Sequence, residues 1–110
     1  MDRDKLYKLH VVDAIEKINS YVAGIDFEQF IHNQLIIDAV VRNLQIIGEA
    51  AKRFSVTFKA SETEIPWSKI AGMRDVIIHD YMDVKTTIIW DTIKEDLPKL
   101  EEVLKKTSSK

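Results

Sequence analysis

The stretch from Leu35 to Phe54, LIIDAVVRNLQIIGEAAKRF, constrains the fold more than any other part of the chain. Its apolar residues recur at steps of three and four, the repeat of an α-helix, and they cover more than one face. Leu35, Val40, Val41, Leu44, Ile47 and Ala51 lie on that surface. The segment is therefore expected to be the buried centre of the fold, with part of its width against another subunit. The same steps dominate the rest of the 110 residues, which hold only three glycines and two prolines to interrupt a helix. The pattern reads as all-α: an up-and-down bundle of four main helices with a short extra helical turn, in a single domain over 1–110.

The expected elements follow in order. A first helix runs from about Asp2 to Val22, with Leu6, Leu9, Val12, Ile15, Ile18 and Val22 inward and Gly24 ending it. Asp26 caps the next helix, with Gln29 in capping-box position, and Phe27, Phe30 and Ile31 lead without a break to Phe54. Gly48 inside that helix costs about 1 kcal/mol relative to alanine, which a close helix contact would justify. Residues 55–65 show no period and read as a loop pinned by Val56 and Phe58. Pro66 and Trp67 open a short turn, with proline at the first helical position. Gly72 separates that turn from a helix over about Met73–Tyr81. Asp83 caps the last helix, Val84 to about Lys106, with Ile88, Ile89, Ile93, Leu97, Leu100 and Leu104 inward and a kink at Pro98. Residues 105–110 form a frayed tail.

Several classes of function are excluded by composition. There are no cysteines, which removes disulfides, thiolate nucleophiles and cysteine-ligated zinc. No segment has the ~20 apolar residues of a membrane span. MDRDKLYKLH, with charges between its apolar residues, does not resemble a signal peptide, so a cytoplasmic location is expected. The net charge of −2 argues against a broad nucleic-acid face, and any contact with nucleic acid needs a local site or a partner. His10, His32 and His79 are scattered, with no HxxxH or HExxH spacing, and neither metal nor cofactor is expected. His10 and His32 read as ordinary helix residues. Arg42 and Glu49, seven apart on the central helix, either brace a cleft or form structural ion pairs.

The segment GMRDVIIHDY, Gly72 to Tyr81, brackets an apolar triplet with Arg74 and Asp75 before it and His79, Asp80 and Tyr81 after. On a helix Arg74, Ile77, Ile78 and Tyr81 share one side, while Asp75, His79 and Met82 share another. Asp75 and His79 are one turn apart, within hydrogen-bonding reach. Arg74 and His79 are about 140° apart around the axis. One short helix does not aim both at the same atom: either the long arginine wraps around, or the helix ends near His79, or a second copy across a two-fold axis completes the site, and the last two together are favoured.

The pattern of Arg74, four residues, His79, one residue, Tyr81 resembles the signature of HEPN-domain proteins, closest to the small HepT-type toxins encoded beside an MntA-type minimal nucleotidyltransferase antitoxin. RNLQIIGEAAKRF (Arg42–Phe54), IPWSKIAGMR (Ile65–Arg74) and WDTIKEDLPKL (Trp90–Leu100) resemble that family in order and spacing. Many relatives carry asparagine after the arginine, where this chain has Asp75. The resemblance implies an HEPN-like bundle, a homodimer whose paired motif helices line a cleft, and metal-independent cleavage of an RNA substrate. It also implies Arg74 and His79 as catalytic residues, Tyr81 as acceptor of AMP from the antitoxin, and that nucleotidyltransferase as partner.

The residue types suit such chemistry. RNA brings its own nucleophile, the 2′-hydroxyl, and histidine titrates near neutrality as acid or base. Arginine grips phosphate oxygens in pairs and stabilises the added charge of the transition state. Asp75 orients His79 in this scheme, and as an acid near the reactive centre it also raises the imidazole pKa and repels phosphate. A second reading, motivated by that acid and by the net charge, is a non-catalytic helical module that docks a nucleotidyltransferase and presents nucleotide or substrate.

Overall fold

A computed structural model of the chain describes residues 2–72 and 86–108. Among them there is no strand, and the elements are α1 (Arg3–Val22), α2 (Phe27–Ile31), α3 (Gln34–Arg53), α4 (Val56–Ser61), α5 (67–72), α6 (Thr86–Asp91) and α7 (Leu97–Ser108). A π-helical turn, Thr92–Asp96, joins α6 to α7, so the last three form one continuous rod. The fold is the all-α bundle expected. Its motif helix, over about Met73–Tyr81, and the capping position of Asp83 lie outside the described residues.

Capping residues set the ends. The Asp2 side chain accepts from the Asp4 N–H, and Gly24 takes φ +76 after the last turn of α1, a conformation glycine adopts without steric cost. Asp26 and Gln29 form the reciprocal capping box at α2, with bonds of 2.8 and 2.9 Å. The expected unbroken helix from Phe27 to Phe54 is instead two. α2 stops at Ile31, and the Asn33 side chain accepts from the Ile36 N–H at 3.1 Å, capping α3 afresh. The expected loop at 55–65 likewise contains a helix. Ser55 caps α4 by accepting from the Phe58 N–H at 3.0 Å. Phe58 is pinned, stacked on Phe54 with ring centroids 4.9 Å apart, but Val56 is 83% exposed.

α1 packs chiefly against α3 and also against α7, and α2 packs against α3. Val11, Ala14, Ile15, Ile18 and Val22 face this core, as do Ile37, Val40, Val41, Leu44 and Ile47 of α3. The stripe of α1 differs at its start from expectation, because Leu6 and Leu9 are exposed. Leu6 precedes Ile15 by nine residues, which at about 100° each places it half a turn away. Ile88, expected inward, is also exposed, whereas Ile89, Ile93, Leu97, Leu100 and Leu104 are buried. Gly48 is buried within α3, and Asn43 is accommodated in the core by donating to the Ala39 carbonyl at 3.0 Å.

Both prolines act differently from the expectation. Pro66 precedes the first helical residue, its carbonyl accepting from Ile70 N–H at 3.0 Å. The motif helix from which Gly72 is expected to separate the turn lies outside the described residues, and Gly72 is itself helical. Its cost of about 1 kcal/mol in a helix is small beside the burial of neighbouring Ile70. Before Pro98 the rod widens into the π turn, where Leu97 N–H bonds the Thr92 carbonyl. That accommodates a residue that cannot donate and whose ring crowds the carbonyl four positions back. Helix continues to Ser108, beyond the expected start of fraying at 105.

Candidate functional site

Arg74, Asp75, His79 and Tyr81, the residues singled out by the motif, all lie outside the described residues. The scaffold on both sides of them is defined. α5 is described as far as the half-buried Ala71 and Gly72, and the chain is described again from Thr86. α5 is anchored by Ile70, fully buried, and by Trp67, whose indole N–H donates to the Glu62 carbonyl at 3.0 Å. Trp67 packs against Phe54 and Phe58, tying α5 to the end of α3. Lys69 bonds Asp96 at 2.9 Å, linking α5 to the π turn, and this bond raises the lysine pKa above its usual value. On the far side, Trp90 packs against Phe30 and Phe27 at 5.0 and 5.9 Å, with the Lys94 ammonium 4.7 Å from its ring.

A cleft of about 400 Å³ opens on the outward side of α3 beside α1, lined by Tyr7, His10, Arg42, Gln45, Ile46, Glu49, Ala50 and Arg53. The α3 contributors recur at steps of three and four from Arg42 to Arg53 along one helical face, which meets the core at Ala50. Tyr7 and His10 meet edge to face at 5.7 Å, and Phe54 supports Tyr7 edge-on at 6.3 Å. Arg53 bonds Glu49 at 3.1 Å, and Glu49 and Tyr7 together raise the guanidinium pKa. Of the two alternatives for Arg42 and Glu49, both line this cleft, and the ion pair of Glu49 is with Arg53 four residues on rather than with Arg42. His32 closes α2 and pairs with Glu28 at 3.1 Å on the surface, whereas His10 is a cleft residue.

The cleft wall is held by a clamp between distant residues. Asp4 accepts from the Ser55 N–H at 2.7 Å and from its hydroxyl at 2.6 Å, while Arg3 Nε donates to the Arg53 carbonyl at 2.8 Å. Burial raises the Asp4 pKa, but the two bonds from Ser55, aided by Arg3 and Lys8, outweigh it and leave the carboxyl below its usual value. Sequence reading had no access to Tyr7, His10 and Arg53 as a group, because packing of α1 on α3 assembles them. No three His, Asp or Glu side chains converge to hold a metal among the described residues.

Comparison with known proteins decides the family. The model of the family described as "Ribonuclease HepT-like" matches residues 11–107, nearly the whole chain. The chain belongs to the HepT-like ribonuclease family. It is 39% identical, over all of its length and 98% of the relative's, to the protein of Caldanaerobacter subterraneus subsp. tengcongensis named "Putative RNase TTE0752". It is 42% identical, over 88% of each chain, to the "Probable ribonuclease HepT" of Thermococcus cleftensis. It also matches, at 38% identity over 92% of its length, 46% of a longer protein of Methanocaldococcus jannaschii named "Gamma-glutamylcyclotransferase and putative RNase MJ0434". No solved structure matches. The HEPN, HepT-type resemblance read from the motif and its flanks is thereby established as family membership. No helix among the described residues is long and apolar enough to cross a membrane.

Proposed function

We propose that this member of the HepT-like ribonuclease family is the cytoplasmic toxin of a HepT/MntA-like pair, a metal-independent endoribonuclease whose site is shared by two copies of the chain. The observation that carries the reading is the family match over residues 11–107, a span that includes Arg74, His79 and Tyr81. His79 of one copy takes the proton from the 2′-hydroxyl as that oxygen attacks the adjacent phosphorus. Arg74 holds the phosphate oxygens and stabilises the charge that builds on them. His79 of the second copy protonates the 5′-oxygen as its bond to phosphorus breaks, leaving a 2′,3′-cyclic phosphate and a 5′-hydroxyl. Asp75 orients His79 by a hydrogen bond one helical turn away.

Regulation falls on Tyr81. The partner nucleotidyltransferase transfers AMP from ATP to its phenol oxygen: the new O–P bond forms as pyrophosphate leaves, and the phenolic proton is lost. The added phosphodiester and adenine occupy the space of the RNA phosphate and base, and the toxin is silent. Substitution of His79 by alanine abolishes cleavage while the purified protein keeps its helical circular dichroism and its size. Unchanged cleavage by that variant overturns the assignment. Stable co-purification with the nucleotidyltransferase, together with no cleavage at any pH, replaces it with the docking module.

A further inference from the structure

The cleft between α1 and α3 contains chemistry that the Arg74–His79 scheme does not use. Arg42 is exposed and has no hydrogen bond or ion pair among the described residues. Arg53, its side chain 56% exposed, is half-neutralised by Glu49. Among the described residues the lining therefore carries two guanidiniums against one carboxylate, a local positive excess in a chain whose net charge is −2. Arg42 and Arg53 are 11 residues apart on one helix face, about 16 Å along the axis at 1.5 Å per residue. That span exceeds one phosphate group and suits an extended strand with a phosphate at each end. On the α1 side stand Tyr7, next to Arg53, and His10, flat rings already braced edge to face. Gln45 adds an amide able to meet a base edge.

We propose that this cleft is a strand-holding subsite for single-stranded RNA, with Arg42 and Arg53 on phosphates more than one nucleotide apart and the Tyr7–His10 pair as a stacking face for an intervening base. The assignment rests on the ribonuclease reading and extends it from the reacting bond to the flanking strand. Cations tracking the backbone beside aromatic platforms are the usual means of holding single strands. Two arginines, a glutamate, a glutamine and a histidine on one face do not suit burial against a second copy, since charged residues are depleted at interface cores. An acidic peptide would use the guanidiniums but leave the stacking pair without a role.

The test uses the full-length protein and a fluorescein-labelled 2′-O-methyl oligoribonucleotide, which lacks the reacting hydroxyl. Fluorescence anisotropy gives its Kd across a salt series. Arg42→Ala weakens binding about tenfold or more and reduces the slope of log K against log salt by about 0.7. His10→Ala weakens it about tenfold and leaves the slope unchanged, because stacking releases no counterions. In cleavage of unmodified RNA both variants act on KM rather than kcat. AMP competes far more weakly than the oligonucleotide, and equal competition would overturn a strand subsite in favour of a mononucleotide one. Cleavage by the wild type with Kd, salt slope and KM unchanged in both variants overturns the subsite while leaving the ribonuclease intact. Effects confined to dimer size or to nucleotidyltransferase binding also overturn it. A wild type that neither binds nor cuts RNA overturns the ribonuclease reading itself.

Discussion

Replacement of Asp4 by asparagine weakens the clamp between α1 and Ser55 with almost no change of side-chain shape. The Asp4 carboxylate spans 51 residues of sequence, receiving the Ser55 N–H at 2.7 Å and the Ser55 hydroxyl at 2.6 Å. The same hydroxyl oxygen accepts from the Phe58 N–H, so α4 depends on the same group. A hydrogen bond to a charged group is worth about 1.5–3 kcal/mol net. The site is only partly buried and asparagine keeps one acceptor, so the expected loss is about 1–2 kcal/mol. For a domain of this size that lowers Tm by roughly 5–15 °C at neutral pH. The pH dependence is the sharper signature. The folded-state pKa of Asp4 lies below the 3.8 of the unfolded chain, so its contribution is complete above about pH 5 and is lost as pH falls through the folded-state value. The Tm difference between wild type and Asp4→Asn is therefore constant from pH 7 to 5 and shrinks below pH 4. Subtracting the two curves cancels the other carboxylates. A difference that is absent at pH 7, or that persists undiminished at pH 3, refutes the clamp.

Four further outcomes are expected. Leu44→Ala, at a position fully enclosed between α1 and α3, costs about 2–5 kcal/mol by urea denaturation. Gly24→Ala costs about 1–2 kcal/mol in the same assay because φ +76 strains a β-carbon, although no neighbouring atom obstructs it. Asp26→Ala, which removes one side of the capping box, costs about 1 kcal/mol, and Asp26→Asn recovers most of it. Light scattering at micromolar concentration gives a dimer, and a monomer there removes the shared site.

The helices were readable because apolar residues at steps of three and four need no tertiary information. The failures share a cause. The break after Ile31 depends on the Ile36 N–H donating to the Asn33 side chain, while Phe27, Phe30 and Leu35 keep an apparently continuous period through it. α4 was obscured because its six residues bury none of their side chains fully and carry no clear stripe. Leu6 and Leu9 continue the sequence pattern of α1 but fall on the wrong side of a helix whose core direction is set by Ile15 and Ile18. The Pro98 signal was legible, although its structural consequence is the π turn ahead of it. The motif was legible as a contiguous string. The α1–α3 cleft was not, because its residues come from two segments more than thirty positions apart and meet only through packing.

The central claim, a metal-independent ribonuclease built on Arg74 and His79, is tested most directly by product-end analysis. Purified wild type, Arg74→Ala and His79→Ala are each incubated with a mixed RNA pool in EDTA, and the fragment ends are characterised. The account predicts fragments with 2′,3′-cyclic phosphate and 5′-hydroxyl ends from the wild type, and none from either variant. Cleavage that stops in EDTA, or that persists in His79→Ala, contradicts it.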